Sequence, residues 1–263
     1  CLFIGTEQSL LKIDTSGVLS KVIPYSINTR AELTFNFIRV LRFDNTGNLW
    51  IGTTDGLYLY YPDSNLIEEI VLPGADRESK EIFDILKDDD GQLWIGTYSN
   101  GVIICDPNSK TFRKLDLIPE YQRTETVRTI AKGILGDYWI GTRGGMYVYS
   151  SEKGVTGFFR HDDRNAQSLS NNSVLDIYHD VKGETWIGTR GGLSLLAKSK
   201  QVFRNFSALP DDNRYLNSNI IYTFWIDDKG RIWIGTEDGG INIYDPEKGT
   251  YEYLVSRNED LNS

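Results

Sequence analysis

Two cysteines, two histidines, one methionine and seven prolines in 263 residues exclude several kinds of protein at the outset. Cys1 and Cys105 cannot make a disulfide framework, and Cys105, inside the apolar run GVIICD, reads as a buried free thiol. His161 and His179 are too few for a histidine-based metal cluster. The chain has no G-x-S-x-G elbow, no phosphate-cradling glycine loop and no base beside either cysteine, so no catalytic residue, cofactor or metal is expected. No apolar run reaches the length of a membrane helix, so this segment is not expected to insert directly into a membrane. Helical periodicity is nowhere sustained. The 37 acidic residues outnumber the 28 basic ones, and the net charge of −9 disfavours nucleic acid as a partner.

What the chain does have is aromatic residues and glycine. Fifteen Tyr, 11 Phe, 6 Trp and 25 Gly favour strands and tight turns. They also recur in order. LWIGT stands at 49–53 and again at 93–97, YWIGT at 138–142, TWIGT at 185–189 and IWIGT at 232–236, after a worn copy, LFIGT, at 2–6. The central aromatics are Phe3, Trp50, Trp94, Trp139, Trp186 and Trp233, at intervals of 47, 44, 45, 47 and 47 residues. Such a period indicates a repeat architecture.

Each unit holds four short strand-like runs; in the fifth copy these are 174–180, 184–189, 193–197 and 201–206. Asp/Gly turns such as DNTG and DDKG join the first two runs, and TDG, SNG or RGG the second and third. Four antiparallel strands per unit describe a propeller blade. The expectation is therefore an all-β fold, a β-propeller of four-stranded antiparallel blades. Five are complete and one is partial, which fits an imperfectly closed ring of six blades or, as expected here, part of a seven-bladed ring. Residues 1–263 form a single propeller domain with blades at 1–35 (partial), 36–79, 80–124, 125–171, 172–218 and 219–263. The first unit lacks its innermost strand, and the tail 256–263 resembles 166–173, which precedes an inner strand. The chain is therefore expected to be a fragment of a longer one.

In that arrangement the repeated letters are structural. Trp50, Trp94, Trp139, Trp186 and Trp233 fill the seams between blades. The Ile beside each joins the same layer, Gly allows close backbone approach and Thr ends the strand. An Asp six residues before the Trp (Asp44, Asp88, Asp180 and Asp227, with Gly133 in the third full copy) accepts hydrogen bonds from turn amides.

Recognition then falls to what differs between copies. The hairpin tips and long linkers share one face, and loops on a rigid scaffold commonly bind ligands. Candidate ligand-binding residues are Asp55, Tyr98, Asn100, Arg143, Arg190, Glu237 and Asp238 at the tips. Tyr121 and Tyr215 in the linkers could stack on sugar rings. Arg143 and Arg190 occupy equivalent places; they either clamp an anion or pair with acidic loops. The inner strands carry Arg39, Asp84, Arg128 and Asp176, which either form ion pairs between blades or make a polar central site.

The stretch NNSVLDIYHDVKGETWIGTRGGL (171–193) resembles the two-component regulator propeller repeat. The resemblance extends over essentially the whole chain in five strong copies and one weak one. It implies the periplasmic sensor region of a hybrid two-component histidine kinase from Bacteroidetes, a non-enzymatic propeller. The expected partners are an oligosaccharide, other domains of the same chain and a second copy in a homodimer. The family offers no fixed binding residues to carry over. Two other functions stay open: a structural protein-interaction scaffold without a small ligand, and a propeller glycoside hydrolase or lyase, which would use loop carboxylates.

Overall fold

The computed structural model describes residues 1–28, 35–74, 80–115, 126–180, 182–197, 202–209 and 214–255. Among the described residues every regular element is a β-strand. The chain divides into two compact units, Cys1–Ile130 and Ala131–Ser263.

The first unit opens with a three-stranded antiparallel sheet of β1 (Leu2–Gly5), β2 (Leu10–Ile13) and β3 (Leu19–Val22). Next come β5 (Ile38–Phe43), β6 (Leu49–Thr53), β7 (Leu57–Tyr61) and β8 (Leu66–Ile70), an antiparallel meander. The short β4 (Tyr25–Ser26) runs parallel to β8 and covers its outer edge. The third sheet is β9 (Ile82–Lys87), β10 (Leu93–Thr97), β11 (Val102–Asp106) and β12 (Thr111–Lys114).

The boundary between the units falls inside β13 (Val127–Lys132), the first strand of a sheet that continues as β14 (Tyr138–Thr142), β15 (Met146–Ser150) and β16 (Gly154–Phe159). Two more four-stranded sheets complete the second unit. One is β17 (Val174–His179), β18 (Thr185–Thr189), β19 (Gly192–Leu196) and β20 (Phe203–Phe206). The other is β21 (Ile221–Ile226), β22 (Ile232–Thr236), β23 (Ile241–Asp245) and β24 (Thr250–Leu254). Successive four-stranded antiparallel meanders are propeller blades, so the chain is an all-β propeller; the first blade begins at its second strand.

The repeated phrase is the second strand of each blade. The indole of Trp50 donates to Asp44 Oδ2 at 3.0 Å, that of Trp94 to Asp88 Oδ2 at 3.0 Å, and that of Trp233 to Asp227 Oδ2 at 3.0 Å. The second oxygen of Asp44 accepts the amides of Thr46 and Asn48 across the turn between the first two strands. One carboxylate thus ties the turn to the ring. In the blade with Gly133, Asp137 supplies the acceptor for Trp139 at 2.7 Å, so the interaction survives with a carboxylate from two residues away.

Blades pack through these aromatics. Trp50 joins Ile82, Ile85 and Ile95 of the following blade in one buried cluster. Trp186 lies with Ile221, Phe224 and Ile234 of the next blade, and Trp139 packs against Val174, Ile177 and Ile187. Trp94 is also buried, while Trp233, in the last blade, is half-buried. Phe3, in the worn copy, packs with Ile38 and Ile51. The glycine of the phrase is a slot for the neighbour. A Cβ on Gly52 would stand 2.7 Å from Ile82 Cγ2, and one on Gly96 or Gly188 would stand 3.0 Å from Val127 Cγ1 or Ile221 Cγ2. Each of those partners opens the next blade's first strand.

Opposite that glycine the first strand bulges. Gly52 faces Val40, Gly96 faces Asp84, Gly188 faces Asp176 and Gly235 faces Thr223, leaving Arg39, Phe83, Leu175 and Tyr222 over as the extra residues. A bulge bends the strand and re-aims its side chains, and here it does so at the same height in four blades.

Candidate functional site at the bulged strand ends

The tips between second and third strands are built alike. The threonine that ends the phrase donates its hydroxyl to the carbonyl of the tip glycine: Thr53 to Gly56 at 3.0 Å, Thr97 to Gly101 at 2.9 Å, Thr142 to Gly145 at 2.8 Å and Thr189 to Gly192 at 2.8 Å. The same hydroxyls accept tip amides, as Thr53 does from Asp55 and Thr97 from Asn100. The residue after the threonine then donates its amide to the chain just before the first strand: Tyr98 to Glu81, Arg190 to Ser173 and Glu237 to Ile220. This bond holds the variable tip residue beside the bulge.

In the first unit that juxtaposition forms a cluster. The Arg39 guanidinium lies 4.5 Å from the Phe83 ring centroid and the Arg128 guanidinium 5.3 Å from the same centroid. Tyr98 is stacked on Phe83 at 6.5 Å, with 24° between the planes. Phe37 flanks Arg39 at 5.4 Å, and Glu81 Oε2 pairs with Arg39 Nη2 at 3.2 Å. Phe37 and Tyr98 are 44% and 40% exposed, so the cluster presents flat apolar faces to solvent beside two cations.

The structure therefore brings Tyr98 from the tips together with Arg39 and Arg128 from the inner strands. Asp84 and Asp176, one residue past the bulge, have another job. Asp84 accepts the amide of Ile130 at 2.7 Å through Oδ2 and that of Ile85 at 2.8 Å through Oδ1. Asp176 does the same with Phe224 at 3.1 Å and Ile177 at 2.9 Å. These carboxylates cap inner-edge amides of the next blade, which would otherwise lack a partner. Burial raises the Asp84 carboxyl above its ordinary value, against the hydrogen bond from Ile130 and the nearby Arg42.

The remaining candidates are dispersed. Arg143 and Arg190 are exposed tip residues. Asn100 lines a cavity of about 390 Å³ with Thr97, Glu69, Lys80 and Glu81, in which Lys80 and Glu69 form an ion pair at 2.9 Å. Asp55 and Asp238 are exposed tips, and Glu237 accepts a hydrogen bond from Tyr222 at 2.5 Å. Tyr215 is 39% exposed, with Arg214 at 6.0 Å from its ring. Tyr121 lies outside the described residues.

Sequence reasoning missed Phe83, Phe37 and Glu81. Phe83 looks like one more alternating apolar residue of a strand until the bulge turns it. Among the described residues no group of three or more His, Cys, Asp or Glu side chains is arranged to hold a metal ion. Cys105 is a buried free thiol that burial and the neighbouring Asp106 push up to about 12. No helix among the described residues is long and apolar enough to cross a membrane.

Comparison with known proteins points in one direction. The profile of the family described as Two component regulator propeller matches residues 32–55, 77–99 and 168–191. Each match runs from the approach to a first strand through the following turn or phrase, and 77–99 contains Phe83 and Tyr98. Among curated proteins nothing matches. Of solved structures, the chain is similar to the extracellular domains of two proteins described as hybrid two-component systems from B. thetaiotaomicron. One is 23% identical with a TM-score of 0.74, covering 97% of this chain and 33% of that one. The other is 22% identical with a TM-score of 0.61, covering 95% and 39%. PorZ, a surface component of the type-IX secretion system of Porphyromonas gingivalis, is 21% identical with a TM-score of 0.66, covering 91% and 36%. The chain thus spans little more than a third of the length of these relatives. Three of its repeats, at residues 32–55, 77–99 and 168–191, match the two-component regulator propeller repeat.

Proposed function

We propose that this chain is the non-enzymatic sensor propeller of an extracytoplasmic two-component signalling protein. It binds a glycan fragment or a neighbouring domain on the face that carries the hairpin tips and bulged strand ends. A histidine kinase in the same protein reads the outcome across the membrane, and the propeller works in the periplasm as part of a homodimer. The observation that carries this reading is the three-fold match to the regulator propeller repeat, in a fold shared with extracellular domains of such systems. Signal arises because a ligand favours one arrangement of domains or protomers over another by its difference in affinity for the two.

Isothermal calorimetry of the chain against a panel of neutral and acidic oligosaccharides tests the reading. Saturable heats for one glycan class are expected. A flat response across the panel favours the second reading, a scaffold that presents protein surfaces without a small ligand, to which the likeness with a secretion-system surface component lends weight.

A further inference from the structure

The geometry points to a binding site for one uncharged sugar ring in the first unit, adjoining the Arg39–Phe83 cluster. It is the cavity of about 390 Å³ between the tip ends of the blades of Trp50 and Trp94. Within the glycan reading, on which this inference rests, the ligand is a neutral glycan that seats one of its rings there.

The floor is apolar. Leu57, Ile70, Leu72 and Ile82 line it, and all four belong to the buried cluster that holds Trp50 in the seam. Such a floor suits the C–H face of a pyranose ring, and side chains locked in a core need no reordering when a ligand arrives. The volume lies near the lower end of the range for small-molecule sites, about 300–1,000 Å³, which suits one ring better than an extended chain.

The rim is polar and comes from both blades. Glu69 stands near the end of β8, Lys80 and Glu81 lead into β9, and Asn100 occupies the tip between β10 and β11. Two bonds fix that tip. The Asn100 amide donates to Thr97 Oγ1 at 2.9 Å, and the Tyr98 amide donates to the Glu81 carbonyl at 3.1 Å. Asn100 and Glu81 are thereby held on adjacent segments of one blade. A carboxamide both donates and accepts hydrogen bonds, as a sugar hydroxyl does.

Charge decides the class of ligand. Lys80 Nζ pairs with Glu69 Oε1 at 2.9 Å, and Arg39 Nη2 pairs with Glu81 Oε2 at 3.2 Å. Each of these carboxylates is already answered by a cation, so an ion entering the cavity would lose water without gaining a free counter-charge. Hydroxyls meet no such penalty. A carboxylate has acceptor capacity, and an ammonium has donors, beyond the single contact of an ion pair, so the pairs can hold hydroxyls and stay intact. The side chains of Lys80 and Glu69 remain 43% and 47% exposed, open to such contacts.

The test titrates the unmutated chain by calorimetry with maltose, cellobiose, mannobiose and xylobiose as neutral probes and digalacturonate as the acidic one. At least one neutral disaccharide should bind, and at least tenfold more tightly than digalacturonate. Methyl NMR of the same mixture locates the ligand without any substitution. The methyls of Leu57, Leu72 and Ile82 should shift, and those of Ile187 and Ile234 in the second unit should not. Asn100→Ala and Glu69→Ala should each weaken binding at least tenfold, with thermal unfolding confirming that each variant folds. Tighter binding of digalacturonate overturns the proposal, as do shifts confined to other methyls or unaltered affinity in both variants; in each of these cases the glycan reading stands and this site falls. If no probe binds, neutral or acidic, both fall.

Discussion

The two ends of each blade's first hairpin behave differently. At the turn end, an aspartate accepts the tryptophan indole and the turn amides, and the pattern returns almost unchanged in the blades of Trp50, Trp94, Trp186 and Trp233. At the bulged end the backbone is again repeated, but the extra residue is Arg39, Phe83, Leu175 or Tyr222. Uniform side chains on a uniform backbone are the mark of packing. Varied side chains on a uniform backbone show where the scaffold is free to acquire specificity. The same bulge that keeps the ladder in register past the glycine slot also frees one side chain per blade.

The largest expected effect breaks the first half of that contrast. Trp50 is fully buried and its N–H is satisfied, so Trp50→Ala removes seam packing and orphans Asp44. It should cost about 3–5 kcal/mol in denaturant unfolding. Arg39→Gln, at the other end of the same hairpin, should change stability by no more than about 1–2 kcal/mol, since it loses only an exposed ion pair and two cation–π contacts. Comparable losses from the two substitutions would erase the distinction between a holding end and a recognising end.

The third full copy, that of Trp139, sharpens the contrast. There Gly133 replaces the aspartate, and Asp137 occupies the space: a Cβ on Gly133 would run into the Asp137 carboxylate and the Trp139 indole nitrogen, 2.9 Å away. Gly133→Asp should therefore destabilise by about 1–3 kcal/mol as an overpacked site, although it restores the commoner residue. Adding Asp137→Gly should recover most of that loss, a coupling measurable in a double-mutant cycle. Additive effects would mean that the two positions do not share one acceptor role.

That exchange shows what a single sequence makes legible. The period, the strand count and the packing role of the glycine slots follow from spacing and residue size, which act locally and repeat. Asp137 as the substitute acceptor was not legible, because only the fold places it beside the indole. Nor was Phe83: alternation assigns it to one face of β9, and the bulge opposite Gly96 displaces it to the cluster with Arg39 and Arg128. The tip residue Tyr98 was found for its variability, yet its neighbour across the blade depends on the amide bond from Tyr98 to Glu81. Asp84 and Asp176 stood out as charges on inner strands, while their bonds to backbone amides depend on the placement of the following blade.

Acid titration separates the two kinds of carboxylate by sign. Burial works against the charge of Asp44, but the hydrogen bonds from Thr46 and Trp50 outweigh it and hold the carboxyl below its ordinary value of 3.8. Its contribution is present above that value and is lost as pH falls through the lower, folded one. Asp84, raised from 3.8 by burial, binds its proton more readily in the folded chain, so folding gains as pH falls through its folded value towards 3.8. The stability of the unmutated chain relative to Asp44→Asn should therefore shrink below pH 3.8. Relative to Asp84→Asn it should grow as pH drops from neutrality towards 3.8. Urea unfolding at a series of pH values checks both, and matching signs would refute the assignment of turn and inner-strand roles.

The smallest effect probes the strained residue itself. Phe37→Ala and Phe37→Gly remove the same ring and the same contact with Arg39. They differ in what φ of 41° costs them. Alanine pays the left-handed penalty of about 1–2 kcal/mol, whereas glycine adopts that conformation freely but loses more chain entropy on folding. The balance leaves the glycine variant more stable by about 1 kcal/mol or less, a difference of a few degrees at most in thermal unfolding. This ordering is opposite to that expected at an ordinary strand position, where alanine is the more stable. An alanine variant as stable as the glycine one would show that the backbone before β5 relaxes once the ring is gone. The backbone would then not be held by the bonds to Glu7 and Thr6, and strain would no longer mark this end of the hairpin as the one shaped for recognition.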